Sequence, residues 1–184
     1  MPRYVAFLRA INIGGRVVKM DRLRGLFEEL PYTNVETFIA SGNVIFESRV
    51  KNMAGLESRI ERHLADALGY EVTAFLRTAE EVAAIARYQP FQDGDVNKAG
   101  AFVVGFLKKP LDRNAGKVLT GFKSAIDDFH LHEREIYWLC KRRQSQSKFS
   151  NAAFEKALGL RSTFRGMNTI KNLAEKLGTP RDQA

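Results

Sequence analysis

The chain has 184 residues, of which 45% are hydrophobic and 27% charged, a composition typical of a globular protein with one medium or two small folded units. It has no apolar run of the roughly 18 residues that a membrane-spanning helix needs, and its N-terminus lacks a signal-peptide pattern. Cys140 is the single cysteine, so an internal disulfide is excluded. We therefore expect a cytoplasmic protein without a membrane partner.

The formal net charge of +8 is unevenly distributed along the chain. Residues 96–184 hold 17 of the 29 Lys and Arg residues but only 8 of the 21 Asp and Glu residues. All of the excess positive charge therefore lies in the second half. This asymmetry favours an anionic partner, either nucleic acid or a phosphorylated molecule, although a basic surface can also serve solubility alone.

The first half of the sequence predicts the element order β-α-β-β-α-β-α. Apolar residues 4–8 indicate a buried strand, and Asp21 is the predicted N-cap of a helix that ends before Pro31. Residues 35–47 alternate in polarity around Ser41-Gly42, which is typical of a hairpin. The remaining predictions are a helix over 53–68 closed by Gly69, a strand over 72–77, and a helix opened by a capping box of Thr78 and Glu81.

The second half repeats this order after a turn-rich segment, 89–95, which is the best candidate linker. Its predicted elements are a strand at 101–107, a helix at 111–123, a hairpin at 128–140, a helix at 149–158, a strand at 161–165 and a helix at 167–177. The helix at 149–158 is expected to begin at Ser147 or Ser150 and to end at Gly159. The hairpin turn near Glu133-Arg134 lacks a glycine signal. The repeat is one of topology and not of residue identity.

Two β-α-β-β-α-β units predict an α+β fold of two tandem ferredoxin-like units, each an antiparallel sheet with helices packed on one face. We expect a first unit over residues 1–92 and a second, basic unit over 96–184, with one compact domain as the alternative. This architecture hosts enzymes, RNA binders and ligand sensors, so it does not select a function.

Four stretches of the sequence are FLRAINIGG at 7–15 with Lys19-Met20, TFIASGNVIF at 37–46, SKFSN with EKALG at 147–159, and TFRGMNT at 163–169. Together they resemble the bacterial family of proteins called domain of unknown function 1697. The first two resemble that family most specifically, and the fourth has Gly166-Met167 where the family usually shows Asn-Trp. The resemblance implies an α/β plait architecture and no established activity.

The first candidate ligand site is the loop between the first strand and the first helix. Gly14-Gly15 can expose backbone N–H groups to an anion, and nearby cations and the helix N-terminus add positive potential. The Walker motif is absent, and a glycine pair also serves a plain turn. Acylphosphatases carry a phosphate loop at this position of a ferredoxin-like fold, although their loop motif is absent here. The candidate residues are Arg9, Asn12, Gly14, Gly15, Arg16, Lys19 and Asn43.

The second candidate site is the basic C-terminal half, which includes the run Lys141-Arg142-Arg143. Tyr137 and Trp138 lie on opposite faces of one predicted strand, so we expect at most one of them to be free to stack on a ligand. The alternative is a solvated charged rim over buried aromatics. The ligand-binding candidates of this half are Lys148, Asn151, Arg165 and Asn168.

Catalytic and metal chemistry are weakly indicated. His130 and His132 would share one strand face as a metal pair, but spacing suggests no third ligand, and we expect no metal site. Cys140 has basic neighbours that would lower a thiol pKa, but no histidine is indicated near it. The segment Lys98–Phe106 resembles the first RNA-binding motif of RRM domains only in part, and we interpret it as a core strand. The cofactor, the enzyme status and the oligomeric state stay open.

Three hypotheses about function follow. The first is a binding module for nucleic acid or another polyanion in the basic half. The second is a small-molecule or phosphate-handling site, with or without catalysis, at the Gly14-Gly15 loop. The third is a protein-interaction domain that uses an exposed apolar patch.

Overall fold

The computed structural model describes residues 1–12, 14–39 and 42–178. Contacts divide the chain into two compact units. The first contains Met1–Ile85 together with the residues from Leu173 onward, and the second contains Ala86–Asn172. Within the described ranges no helix is both long enough and apolar enough to cross a membrane.

The first unit is built on a four-stranded antiparallel sheet in the order β2-β3-β1-β4. This order places the first strand in the sheet centre, as in the split β-α-β fold. Helix α3 continues from β4 into the second unit. The elements are β1 (Arg3–Arg9), α1 (Met20–Glu28), β2 (Thr33–Thr37), β3 (Asn43–Glu47), α2 (Met53–Leu68), β4 (Thr73–Thr78) and α3 (Ala79–Arg87).

Side chains of the central strand alternate between two buried faces. Tyr4, Ala6 and Leu8 join the apolar residues of α1 and α2 in one core, as period-two alternation requires. Val5 and Phe7 point the other way and are also fully buried. The sheet of this unit is therefore covered on both faces, which explains why β1 is a continuous apolar run.

The second unit repeats the arrangement, with its antiparallel sheet in the order β6-β7-β5-β8. Val103, Ile136 and Trp138 share a core with Phe149 and Phe154. The two four-stranded sheets confirm the predicted α+β class. The elements are α4 (Asp93–Lys98), β5 (Ala101–Phe106), α5 (Arg113–Thr120), β6 (Asp127–His132), β7 (Glu135–Cys140), α6 (Asn151–Leu158), β8 (Thr163–Gly166) and α7 (Met167–Gly178), whose last residues belong to the first unit.

In each unit a glutamate on a helix accepts a backbone hydrogen bond at one edge of the sheet. Glu57 of α2 accepts the backbone N–H of Leu76 in β4 at 3.0 Å, and Glu155 of α6 accepts that of Ser162, the residue before β8, at 2.8 Å. An outer strand otherwise presents unpaired backbone donors. The same solution in both units supports the topological repeat, although the surrounding residues differ.

Helix ends follow the predicted capping signals in most places. Thr78 and Glu81 form the capping box, with their reciprocal bonds at 2.8 and 3.1 Å. Ser150 caps α6, and Gly159 ends it in the left-handed conformation. The prediction of Asp21 as the N-cap of α1 is wrong: Lys19 holds that position without a side-chain bond, and Asp21 lies in the first turn. A carboxylate in the first turn is also favoured by the positive end of the helix dipole, so an acidic residue is expected at either position.

The segment predicted as a linker is partly helical. Asp93–Lys98 forms α4, with acidic residues in its first turn and Lys98 in its last. Phe91 packs edge-on against Phe102 of β5, with the ring centroids 5.6 Å apart. The β6–β7 turn lies where predicted, and Glu133 takes the left-handed backbone (φ 52°) that a glycine would otherwise supply.

Candidate functional site

The diglycine loop of the first unit is exposed, and both of its glycines have a left-handed backbone conformation. Gly14 and Gly15 have φ values of 64° and 80°, and open space faces both. Asn12 accepts a hydrogen bond from the Val18 backbone N–H at 2.8 Å, which closes the loop. Ile13 lies outside the described residues. The two glycines are thus required by backbone geometry, and the loop surface is open to solvent.

Three cationic side chains lie in or next to this loop. The Arg16 guanidinium lies over the ring of Tyr70, 4.3 Å from its centroid, and the Tyr70 hydroxyl donates to the Ile11 carbonyl at 3.1 Å. This cation–π contact holds the charge in place. Lys19 is exposed at the start of α1, and Arg9 is half-buried at the end of β1.

Asn43 is buried and helps to hold the hairpin of β2 and β3. It is fully buried at the start of β3, and its amide donates to the Phe38 carbonyl at 3.0 Å across the hairpin. Gly42 precedes it with φ 76°, and a Cβ there would lie 2.7 Å from Ile11. Ser41 lies outside the described residues. The hairpin therefore packs closely against the chain that leads into the diglycine loop.

The four ligand-binding candidates of the second unit differ in their exposure and in their internal hydrogen bonds. Lys148 and Asn168 are exposed. Asn151 donates to the Ser162 carbonyl at 3.1 Å and accepts a short bond from the Ser162 hydroxyl, which ties α6 to β8. Arg165 is buried and donates to Thr163 at 2.7 Å, and burial lowers its pKa to about 10. The structure thus engages two of these four side chains in internal contacts and leaves two in solvent.

The richest concentration of exposed charge in the second unit is the segment 141–148, which we call the basic loop. Lys141, Arg142 and Arg143 are all exposed, and Lys148 follows at its far end. In the described part of the chain, none of these four side chains forms an ion pair. The loop therefore presents four uncompensated cations to solvent.

The first half of the basic loop is anchored by close backbone packing. Gly100 donates to the Cys140 carbonyl at 2.9 Å, and Lys141 donates to the Ile126 carbonyl at 2.8 Å. A Cβ on Gly100 would lie 2.2 Å from the Arg142 carbonyl oxygen. Because only glycine leaves room for this approach, Gly100 fixes the path of the three consecutive cations.

The second half of the basic loop is anchored by a buried carboxylate. Asp127 accepts hydrogen bonds from Ser147 at 2.7 Å, from Ser124 at 3.0 Å and from the Trp138 indole N–H at 2.8 Å. The Ser147 hydroxyl also accepts the Phe149 backbone N–H at 2.9 Å. A loop held at both ends loses less conformational entropy when it binds a ligand.

Two open cavities flank the basic loop and share Phe149 as a wall. One, of about 470 Å³, is lined by Gln144, Ser145 and the start of α6. The other, of about 390 Å³, is lined by Lys123, Gln146 and Lys148. Residues of the basic loop therefore line two open cavities.

The aromatic residues of β7 are not available for stacking. We expected at most one of Tyr137 and Trp138 to be free, and neither is, because residues on both faces of β7 are buried. Phe149 is also buried, at 5% exposed. Only the half-buried Phe122 and Phe164 offer ring surface, in the two flanking cavities. A ligand of the basic loop is therefore held mainly by charge and hydrogen bonds.

His130, His132 and Cys140 contact or are buried by other side chains of the fold. The Tyr88 hydroxyl is hydrogen-bonded to His130 Nε2 at 2.8 Å, and the Tyr88 ring stacks on His132 at 4.1 Å. The described residues contain no group of three or more metal-ligating side chains. Burial raises the pKa of the Cys140 thiol, despite its basic neighbours in sequence, because the side chain is fully buried.

Sequence reasoning identified the basic run but missed the residues that hold it in place. Gly100 and Asp127 lie 41 and 14 positions before Lys141, the first residue of the basic loop, and no local motif links them to it. Ser147 was considered only as a start of α6. A serine between a basic run and a helix is a weak signal for such an anchor.

Comparisons with known proteins agree with this architecture. The model of a family described as "Protein of unknown function (DUF1697)" matches residues 1–137. Among curated proteins no sequence matches the chain. A solved structure, the conserved bacterial protein SP0830 from Streptococcus pneumoniae, is 22% identical over 96% of this chain and 98% of its own, with a TM-score of 0.72. That likeness supports the fold alone. Since the family model spans well over half of its residues, this chain belongs to the DUF1697 family of proteins of unknown function.

Proposed function

We propose that this protein is a cytoplasmic polyanion-binding module that contacts phosphate groups through the basic loop, residues 141–148. One observation carries the proposal: Lys141, Arg142, Arg143 and Lys148 are exposed without ion pairs in the described part of the chain. Phosphate oxygens are the acceptors that such cations recognise.

The surroundings of the loop favour binding to a phosphate backbone over binding to bases. Tyr137, Trp138 and Phe149 are buried. Only the half-buried Phe122 and Phe164 line the flanking cavities, so stacking supplies little of the binding energy. Affinity must then come largely from charge and released counterions, which gives weak, salt-dependent binding with dissociation constants of roughly 10⁻⁴ to 10⁻⁶ M. Nucleic acid and phosphorylated small molecules share this chemistry, and the chain length of the ligand distinguishes them.

The test compares labelled oligouridylate of about 20 nucleotides with inorganic pyrophosphate as a competitor. We expect wild-type protein to bind the oligonucleotide, as read by fluorescence anisotropy. The variant K141Q/R142Q/R143Q should bind at least about tenfold more weakly, because three phosphate contacts are lost. Affinity that grows with oligonucleotide length indicates a polynucleotide ligand, whereas competition by stoichiometric pyrophosphate indicates a small phosphorylated ligand.

A matched control removes the same charge from the first unit. Arg22, Arg59 and Arg62 lie exposed on α1 and α2. The variant R22Q/R59Q/R62Q lowers the net charge equally and should bind within about threefold of wild type. Equal losses in both triple variants would mean that overall charge, and not the basic loop, causes the binding, and would contradict the proposal.

A second candidate function is a compact anion site at the diglycine loop. The open space before Gly14 and Gly15 and the fixed position of the Arg16 guanidinium over Tyr70 favour it. We expect Arg16→Ala to weaken the binding of inorganic phosphate about tenfold, measured by calorimetry, and Arg16→Lys to restore part of it. If Arg16→Ala leaves the affinity unchanged, this loop serves turn geometry alone.

A further inference from the structure

A separate cleft of about 470 Å³ lies in the second unit, between α4, β5 and the start of α7. Its lining is apolar and aromatic at the base, where Pro90, Phe91, Val96, Phe102 and Met167 meet. None of the lining residues belongs to the basic loop or to the cavities beside it. This volume lies within the range of small-molecule pockets, roughly 300 to 1,000 Å³.

The walls of the cleft are fixed by ring contacts. Phe91 meets Phe102 edge-on at 5.6 Å, and Phe102 in turn contacts Tyr137 at 6.5 Å. Tyr88 is stacked on His132 and hydrogen-bonded to His130, which ties the lining segment 86–91 to the sheet. The aromatic surface is therefore preformed, and a ligand ring would meet the faces and edges of rings that need not reorganise.

Charged side chains surround the opening of this apolar base. Arg87 ends α3, and Lys171 lies one helical turn after Met167 on α7, so that both side chains share the cleft. Asp93 is the one acidic residue of the lining. Among the described residues, neither Arg87 nor Lys171 forms an ion pair. The opening thus has two cations against one carboxylate.

We propose that this cleft binds a small aromatic acid, a ligand with one or two fused rings and a carboxylate, sulfonate or phosphate group. The rings occupy the apolar base beside Phe91 and Phe102, and the acidic group is held by Arg87 and Lys171. An aromatic ring adds edge-to-face contacts that an aliphatic chain of equal area does not provide. A cationic ligand is disfavoured because the net charge at the opening is positive.

Two fluorescent probes test the proposal on the full-length protein. Anilinonaphthalene sulfonate has an aromatic ring system with an acidic group, and phenylnaphthylamine has the same rings without it. We expect the sulfonate to bind with a dissociation constant below about 1 mM and more tightly than the neutral probe, because only the sulfonate is held by the two cations.

Two variants assign the probe to the cleft. R87Q/K171Q should weaken the sulfonate about tenfold and leave the neutral probe unchanged, since these exposed side chains contribute charge and little apolar contact. Val96→Trp should abolish the binding of both probes by filling the cleft. The matched control K117Q/K156Q removes two exposed cations of the same unit outside the cleft and should bind both probes as wild type does.

Three results would overturn the proposal. They are an absence of sulfonate binding to wild type, an equal effect of R87Q/K171Q on both probes, and unchanged binding in both cleft variants. Because R87Q/K171Q alters only exposed side chains, it remains informative if Val96→Trp does not fold. Oligonucleotide binding by the same variants should stay at the wild-type level, so failure here is distinguishable from failure of the basic-loop proposal.

Discussion

Replacing Gly100 with alanine is expected to lower the free energy of unfolding by about 2 to 3 kcal/mol and to weaken polyanion binding. The new methyl group would lie 2.2 Å from the Arg142 carbonyl oxygen and 2.9 Å from the Arg143 nitrogen. Both contacts are with backbone, so neither can be relieved by rotating a side chain. The start of β5 or the basic loop must move. Urea denaturation and oligonucleotide anisotropy measure the two effects.

Gly94→Ala is the matched control for this substitution. Gly94 lies inside α4, where a Cβ would meet no atom within 4 Å. Alanine at this position favours the helix by up to about 1 kcal/mol, so the variant should be as stable as wild type or slightly more stable. If Gly100→Ala proved as stable as Gly94→Ala, the close approach of the loop to Gly100 would not exist in solution.

Asp127→Ala is expected to lower the free energy of unfolding by about 2 to 4 kcal/mol, because it removes three hydrogen bonds and leaves the buried Trp138 N–H without an acceptor. The carboxylate is 4% exposed, so water cannot easily replace it. The loss of the Ser147 contact should also loosen the far end of the basic loop. Chemical denaturation monitored by the fluorescence of Trp138, the single tryptophan, measures the first effect.

A double-mutant cycle isolates the hydrogen bond between Asp127 and the indole. In a Trp138→Phe background no indole donor is stranded, so Asp127→Ala should cost at least about 1 kcal/mol less than it does in the wild-type protein. All four proteins are followed by circular dichroism, because this background lacks the single tryptophan. Asp95→Ala, on the exposed surface of α4, controls for charge and should change stability by no more than about 0.5 kcal/mol. Strictly additive effects of the two substitutions would show that the bond is energetically unimportant.

Local signals were sufficient to predict most of the fold. The capping box of Thr78 and Glu81 and the glycines at 69 and 159 are helix-end features written in a few adjacent residues, and each lies where predicted. The apolar run of residues 4–8 predicted a buried strand, and all five residues are at most 3% exposed. Because such features depend only on neighbours in sequence, the helix ends and the buried strand could be predicted.

Features that depend on distant contacts were not predictable. Whether Tyr137 or Trp138 would be exposed depended on what covers the second face of its sheet, and the pattern of β7 does not contain that information. The N-cap of α1 was predicted at Asp21, two residues after the observed N-cap, Lys19. The two positions are hard to tell apart in sequence, because Asp is favourable both at the N-cap and in the first turn. Helix α4 was not predicted, because its segment is rich in turn-forming residues.

The candidate sites likewise combine features that the sequence shows directly with features that depend on distant contacts. The basic run of the loop and the diglycine are visible in sequence, and the structure exposes both. The fixed position of Arg16 depends on Tyr70, which follows more than fifty residues later, and the path of the basic loop depends on Gly100. No spacing rule connects such pairs, because they meet only once the sheets have formed.

The salt dependence of oligonucleotide binding tests the role of the basic loop most directly. For single-stranded RNA, each lost phosphate contact reduces the slope of log affinity against log salt concentration by about 0.7. Removal of Lys141, Arg142 and Arg143 is therefore expected to make the slope shallower by about 2, while R22Q/R59Q/R62Q leaves it close to that of wild type. Equal slopes for wild type and K141Q/R142Q/R143Q would contradict the assignment of phosphate binding to this loop.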